Sequence, residues 1–111
     1  MLREKKASVE EQAALFGSLA DPTRLKLLTL LTEQHEPGAL CVNALAYRLG
    51  VAQSAVSQHL KVLKNAGMVK GEKRGYRVHY FVSKEGLESC LELAKAILDV
   101  NAKPQEYPLS E

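Results

Sequence analysis

Residues 41–69, CVNALAYRLGVAQSAVSQHLKVLKNAGMV, decide the fold of this chain. Their pattern predicts a short helix from about Cys41 or Val42 to Leu49, with Gly50 closing it in the left-handed conformation. A second helix follows from about Gln53 to Ala66 and stops at Gly67. At about 100° per residue, Val56, Leu60 and Leu63 gather on one side of it. Gln53, Ser54, Ser57, Gln58, Lys61 and Lys64 gather on the other. The apolar side can dock on the preceding helix, leaving outward the kind of hydrogen-bonding face with which a helix-turn-helix enters the major groove of DNA. Any solvated helix is also polar on one side, so the rest of the chain must supply the platform.

Downstream, residues 68–73 and 76–82 read as two short strands with Arg74-Gly75 at the turn. Tyr76, Val78, Tyr80 and Val82 alternate with Arg77, His79 and Phe81, as a hairpin with one buried face requires. Ser83 caps a last helix, roughly Lys84 to Val100, whose Leu87, Leu91, Ala94, Ile97 and Leu98 form one stripe. Upstream, Ser8 and Glu11 form a capping box for a helix with Val9, Ala13, Phe16 and Leu19 or Ala20 on its apolar side. Asp21-Pro22 starts a leucine-rich helix (Leu25, Leu27, Leu28, Leu30, Leu31) running to about Glu33, broad enough in apolar surface to be touched from several sides. His35-Glu36-Pro37-Gly38 is a loop.

The expected architecture is mainly α with a small β-hairpin wing: a winged helix-turn-helix spanning residues 8–100. A flexible arm (residues 1–7) precedes it, and a flexible tail (101–111) with Pro104 and Pro108 follows. The terminal helix has no evident place inside so small a core. Pairing it and the first helix with their copies gives a two-fold dimer, which sets two recognition helices about 34 Å apart on one duplex face.

The chain has 111 residues, 46% hydrophobic and 25% charged, which describes one small globular domain. No apolar run is long enough for a bilayer and the first residues lack a signal-peptide core, so a cytoplasmic protein with no membrane partner is expected. The net charge of +2 announces nothing by itself. Its distribution does: Lys61, Lys64, Lys70, Lys73, Arg74, Arg77 and Lys84 are opposed only by Glu72 over that span. The two cysteines, Cys41 and Cys90, are too few for a disulfide scaffold or a closed zinc site. No nucleophile–base pair, acid pair or phosphate loop suggests an enzyme, and no cofactor is implied.

These residues resemble the ArsR/SmtB family of winged-helix repressors. The resemblance rests on residues 19–25 (LADPTRL), 40–45 (LCVNAL), 53–63 (QSAVSQHLKVL), 65–69 (NAGMV) and 75–80 (GYRVHY), in the family's order and spacing from Phe16 to Val82. It implies a homodimer that blocks transcription at an imperfect palindrome in double-stranded DNA and leaves when an inducer binds. Gln53, Ser54, Ser57 and Gln58 are the candidates for base edges, because amides pair bidentately with adenine and hydroxyls serve either base type. Lys61, Lys64, Lys73, Arg74 and Arg77 are candidates for phosphate, which positions without specifying sequence. His59, on the flank of the face, either touches phosphate or packs. The position after Gly75, often arginine in the family, is Tyr76 here, which moves the wing contact to Arg74 or Arg77.

The resemblance also brings metal sensing, but the residues do not follow. A family site with Cys-x-Cys in the third helix meets Cys41-Val42-Asn43 here, with one thiol and a poor ligand for a soft metal. A site of Asp and His pairs on the last helix meets a stretch from Lys84 to Glu111 without histidine. No metal site is expected. Some relatives respond to oxidants or reactive sulfur through two cysteines, and Cys41 with Cys90 is the candidate pair, provided their Cα atoms come within about 7 Å. Both thiols are otherwise ordinary buried cysteines. The rival outside DNA binding is a winged-helix module for protein contact, although such modules usually lose the polar recognition face. The inducer is not legible.

Overall fold

The described residues, 8–34, 40–99 and 101 of a computed structural model, form helices and strands in the order α1 (Val9–Leu19), α2 (Pro22–Glu33), β1 (Leu40–Cys41), α3 (Val42–Leu49), α4 (Gln53–Asn65), β2 (Val69–Arg74), β3 (Arg77–Val82) and α5 (Lys84–Leu98). The expected arm, the loop at 35–38 and the tail beyond 101 lie outside the described residues.

The helix starts follow their capping chemistry. Ser8 Oγ accepts from Glu11 N at 2.9 Å while Ser8 N donates to Glu11 Oε1 at 3.1 Å, the reciprocal box that begins α1. Asp21 Oδ1 accepts from Thr23 N (2.8 Å) and Arg24 N (3.2 Å) at the head of α2. Ser83 Oγ accepts from Gly86 N at the head of α5. Ala52, with no side-chain oxygen, leaves the first amides of α4 without a side-chain cap, as the sequence predicts. At the far end of α4, Gly67 takes φ 83°; its N–H donates to Lys64 O and the Met68 N–H donates to Leu63 O. This crossed pair satisfies the helix's last carbonyls and turns the chain into β2.

Val56, Leu60 and Leu63 of α4 are all buried, together with Leu15, Leu27, Leu31, Leu45, Ala46, Met68 and Val69. Burial of a leucine or valine contributes about 1.5–3 kcal/mol, so the inner side of α4 alone anchors it firmly on α2 and α3. The outer side is thereby fixed toward solvent.

Three features differ from the sequence expectation. A third strand, β1, pairs antiparallel with β3 (Leu40↔Tyr80, Cys41↔His79), giving the sheet order β1-β3-β2. Two residues are too short for an alternation signal, and only the long-range pairing defines them. The hairpin turn falls on Gly75-Tyr76, one residue later than predicted, with Arg74 opposite Arg77. Gly75 has φ 68°, and among the described residues none other than glycine takes a positive φ, so glycine suits the first turn position of this two-residue loop. Finally, the core takes Gln12, Leu15 and Ser18 of α1, not the more apolar Val9, Ala13 and Phe16, which face outward. Gln12 Nε2 reaches Leu93 O at 3.4 Å and Ser18 Oγ donates to Leu15 O at 2.7 Å, so the buried polar atoms keep partners.

The last helix docks through its first turn. Gly86 sits so close to the end of α4 that a Cβ there would overlap the Gly67 carbonyl oxygen. Leu87, Cys90, Leu93 and Ala94 then line the edge of the core. Leu91, Ile97 and Leu98 remain exposed, and no described residue of α5 is fully buried.

Candidate nucleic-acid interface

Gln53, Ser54, Ser57, Gln58, Lys61 and Lys64 all lie exposed on α4, on the side opposite Val56, Leu60 and Leu63. The first turn of the helix thus presents the Gln53 amide and the Ser54 hydroxyl, with Ser57 and Gln58 on the next turn, beside backbone N–H groups that no N-cap side chain occupies. Such a helix start suits negatively charged oxygen as well as base edges.

His59 is oriented differently. Its ring is turned inward, with a side chain 21% exposed, and Nδ1 lies 3.3 Å from Arg24 Nη1. A guanidinium only donates, so Nδ1 must accept, which assigns the ring proton to Nε2. That nitrogen faces Asp21 Oδ1 at 3.9 Å, too long for a hydrogen bond and within ion-pair range if the ring is charged. Arg24 in turn donates from Nε to Ser18 O at 2.7 Å and from Nη2 to Gly17 O at 3.2 Å. One side chain therefore ties the end of α1, the start of α2 and the middle of α4 together. The Asp21 carboxyl is held below its ordinary range by the Arg24 amide, with further help from the Thr23 amide and the Arg24 charge against partial desolvation. The sequence marks Asp21 as the N-cap of α2 and Arg24 only within the family resemblance; their link to α4 comes from the fold.

On the wing, residues opposite one another across the ladder share a face. Arg74 and Arg77 face each other, and Glu72, His79 and Cys41 continue the row across β2, β3 and β1. Arg74 Nη2 meets Glu72 Oε1 at 2.9 Å in an exposed pair, which keeps two like charges tolerable side by side. Such a pair is worth about 0–1 kcal/mol and yields readily to a phosphate. Arg77 Nη1 lies 3.9 Å from Cys41 Sγ. Lys73 is exposed on the other face, beside Val78. Lys70 Nζ stands over the Phe81 ring at 5.7 Å, which occupies both in a cation–π contact. Tyr80 packs against the core, whereas Tyr76 at the wing tip is 94% exposed and touches nothing that would explain an aromatic there by packing. Sequence alternation had grouped the two.

The two thiols are free and differ in character. Cys41 stands at the N-cap position of α3 without a side-chain capping bond, and the nearby Ala44 amide, the Arg77 guanidinium and the Asn43 amide lower its pKa against a desolvation cost. Burial pushes the Cys90 thiol up, and its Sγ lies 3.8 Å from Ala66 O at the end of α4. Each cysteine has its own partners on different elements. Among the described residues, no group of three or more histidine, cysteine or acidic side chains could hold a metal ion. No described helix is long and apolar enough to cross a membrane.

Residues 21–70, from the Asp21 cap through the first residues of β2, match the model of the bacterial regulatory protein arsR family. The chain is 36% identical over 84 residues to an uncharacterized HTH-type transcriptional regulator of Methanocaldococcus jannaschii, covering 76% of this chain and 91% of that one. This chain belongs to the arsR family. It is 42% identical over 69 residues to the arsenical resistance operon repressor of Escherichia coli, covering 62% of this chain and 56% of that repressor. Among solved structures, the homodimeric winged helix-turn-helix DNA-binding domain of a Mycobacterium bovis protein superposes with a TM-score of 0.65 at 26% identity, over 89% of this chain and 91% of that one. As an arsR-family member the chain is a winged helix-turn-helix transcriptional regulator, a class that is not enzymatic. The matched segment contains α2, α3, α4 and the exposed polar face, but neither α1 nor α5.

Proposed function

We propose that this arsR-family chain is a homodimeric, sequence-specific repressor that reads an imperfect palindrome with α4 and steadies it with the wing. The observation that carries the reading is the outer face of α4: six exposed polar or basic residues on a helix whose opposite side is fully buried. Gln53, Ser54, Ser57 and Gln58 contact base edges; Lys61, Lys64, Lys73, Arg74 and Arg77 contact phosphate; His59, bound to Arg24 through Nδ1, sets the position of the helix and keeps its Nε2–H for a phosphate. Its work on DNA implies the cytoplasm.

Self-association is supported by the apolar side chains that one subunit leaves uncovered. Val9 is 74% exposed on α1, and Leu91, Ile97 and Leu98 are 56%, 58% and 62% exposed on α5. Contiguous apolar surface of this kind marks an interface, and the Mycobacterium bovis neighbour is homodimeric. The decisive experiment is a mobility-shift titration with the DNA upstream of the chain's own gene, alongside sedimentation of the free protein. A shift that unlabelled specific DNA competes far better than random DNA, with a dimer in solution, is the expected result. Equal competition by random DNA, or a monomer at micromolar concentration, refutes the respective part. Loss of DNA binding with full capture of a protein partner would favour the interaction module.

The release signal is not a metal at the usual family positions, for the reasons of residue type already given. A thiol-responsive form of the reading is favoured by one observation, the lowered pKa of Cys41 beside Arg77. Treatment with diamide or a polysulfide should then weaken operator binding. Unchanged affinity with both thiols still free excludes it.

A further inference from the structure

The leucine-rich helix α2 has apolar surface on more sides than the fold covers. Leu27 and Leu31 are buried and Leu28 is half-buried against the core, but Leu25 remains 48% exposed. Beside it, α2 and the end of α3 border an open, shallow cleft of about 380 Å³ lined by Leu25, Lys26, Thr29, Leu30, Arg48 and Leu49. Leu25, Leu30 and Leu49 make its apolar wall. Lys26 and Arg48 stand at its rim, and neither makes an ion pair or hydrogen bond among the described residues. No acidic side chain is among the lining residues described. The Thr29 hydroxyl donates to Leu25 O at 2.8 Å, which leaves its oxygen able only to accept.

The volume lies near the lower end of small-molecule sites, roughly 300–1,000 Å³. An apolar wall beside two cations that pair with no described residue selects a ligand with one apolar tail and one anionic head. The guanidinium fork of Arg48 suits a carboxylate, which can take two parallel hydrogen bonds from it. We propose that the cleft between α2 and α3 binds an amphipathic carboxylate. Binding itself does not depend on the function proposed above. Its consequence does: α3 carries α4, so a tail wedged between α2 and α3 changes the seat of the reading helix, and occupation lowers operator affinity.

The test uses the full chain and decanoate, below its micellar concentration, as the probe. Amide resonances of residues 25–30 and 48–49 should shift saturably on titration. Decanol, with the same tail and no charge, should bind roughly three- to tenfold more weakly, the range expected for losing two exposed ion pairs. Acetate, a head without a tail, should produce no saturable shift there. Lys26→Gln with Arg48→Gln should erase the preference for decanoate over decanol, and Thr29→Trp should block both by filling the cleft. Both variants change exposed positions, so their folds can be checked by unchanged thermal unfolding. Shifts confined to α1 and α5, or equal affinity for decanoate and decanol in the unmodified chain, overturn the proposal. So does a Lys26→Gln, Arg48→Gln chain that keeps its decanoate affinity and loses DNA affinity, because the two cations then serve phosphate. A chain that binds decanoate as described but shows no operator binding refutes the repressor reading and leaves the site intact. Decanoate binding with unchanged operator affinity overturns the release role alone.

Discussion

Replacing Arg24 by alanine should loosen the reading helix from behind without touching its outer face. The guanidinium makes three contacts: Nε to Ser18 O at 2.7 Å, Nη2 to Gly17 O at 3.2 Å and Nη1 to His59 Nδ1 at 3.3 Å. A hydrogen bond from a charged donor contributes about 1.5–3 kcal/mol when protected from water. Only the first is short, so it is assigned about 1.5 kcal/mol, and the two longer contacts, one of them exposed, about 0.5 kcal/mol each. The expected loss is therefore about 2–3 kcal/mol. Arg24→Lys keeps a charge but cannot fork to three acceptors, and should lose about half as much. For a domain of this size each kcal/mol moves the midpoint by roughly 4–8 °C, so Arg24→Ala should melt roughly 8–24 °C lower. The comparison must be made at one protomer concentration, because self-association raises apparent stability. Urea unfolding gives the same difference independently. A change below about 0.5 kcal/mol would refute the reasoning, since water would then serve the two carbonyls and His59 equally well.

Further outcomes follow from other contacts. Gly86→Ala should destabilise by at least about 2 kcal/mol because its Cβ meets the Gly67 carbonyl, whereas Gly17→Ala, with open space and ordinary φ in an exposed part of α1, should stabilise by up to about 1 kcal/mol; thermal unfolding of the pair checks the contrast. The lowered pKa of Asp21 stabilises the fold above its ordinary value of 3.8, and that contribution disappears as pH falls through the lower folded value. Asp21→Asn should accordingly flatten stability against pH in this acid range, and an unchanged profile would count against the cap. Cys41 should alkylate with iodoacetamide faster than Cys90 near neutral pH, with its rate rising at lower pH than for an ordinary thiol; mass spectrometry resolves the two sites. Ser57→Ala with Gln58→Ala should cut operator affinity and leave nonspecific binding nearly intact, while Arg74→Ala should weaken both and reduce the salt slope by up to about one unit; equal losses would contradict the division between base and phosphate contacts.

Much of the site was legible because α4 obeys one period. A hydrophobic side at 3.6-residue spacing must face the core, so the opposite residues must face out, whatever the details of packing. The same reasoning misread α1. Its most apolar side, Val9, Ala13 and Phe16, faces outward, and the core takes Gln12, Leu15 and Ser18. Periodicity identifies a side suited to burial but not what will bury it, and a surface kept for a second subunit has the same pattern as a core. Gly86 shows a related limit. In a sequence it is merely a weak helix former, while in the fold it is where two backbones meet.

The chain's own sequence determined its helix starts, the glycine stops at Gly50 and Gly67, the hairpin and the chemistry of the reading face, because each depends on residues within a few positions of one another. Tertiary structure alone decided the pairing of β1 with β3, the clamp from Arg24 to His59, the approach of Arg77 to Cys41 and the cleft between α2 and α3. Arg24 and His59 are 35 positions apart, and Cys41 and Arg77 are 36 apart. No local rule couples residues at that distance; only the shared core, by fixing one helix against another, brings their polar atoms within reach.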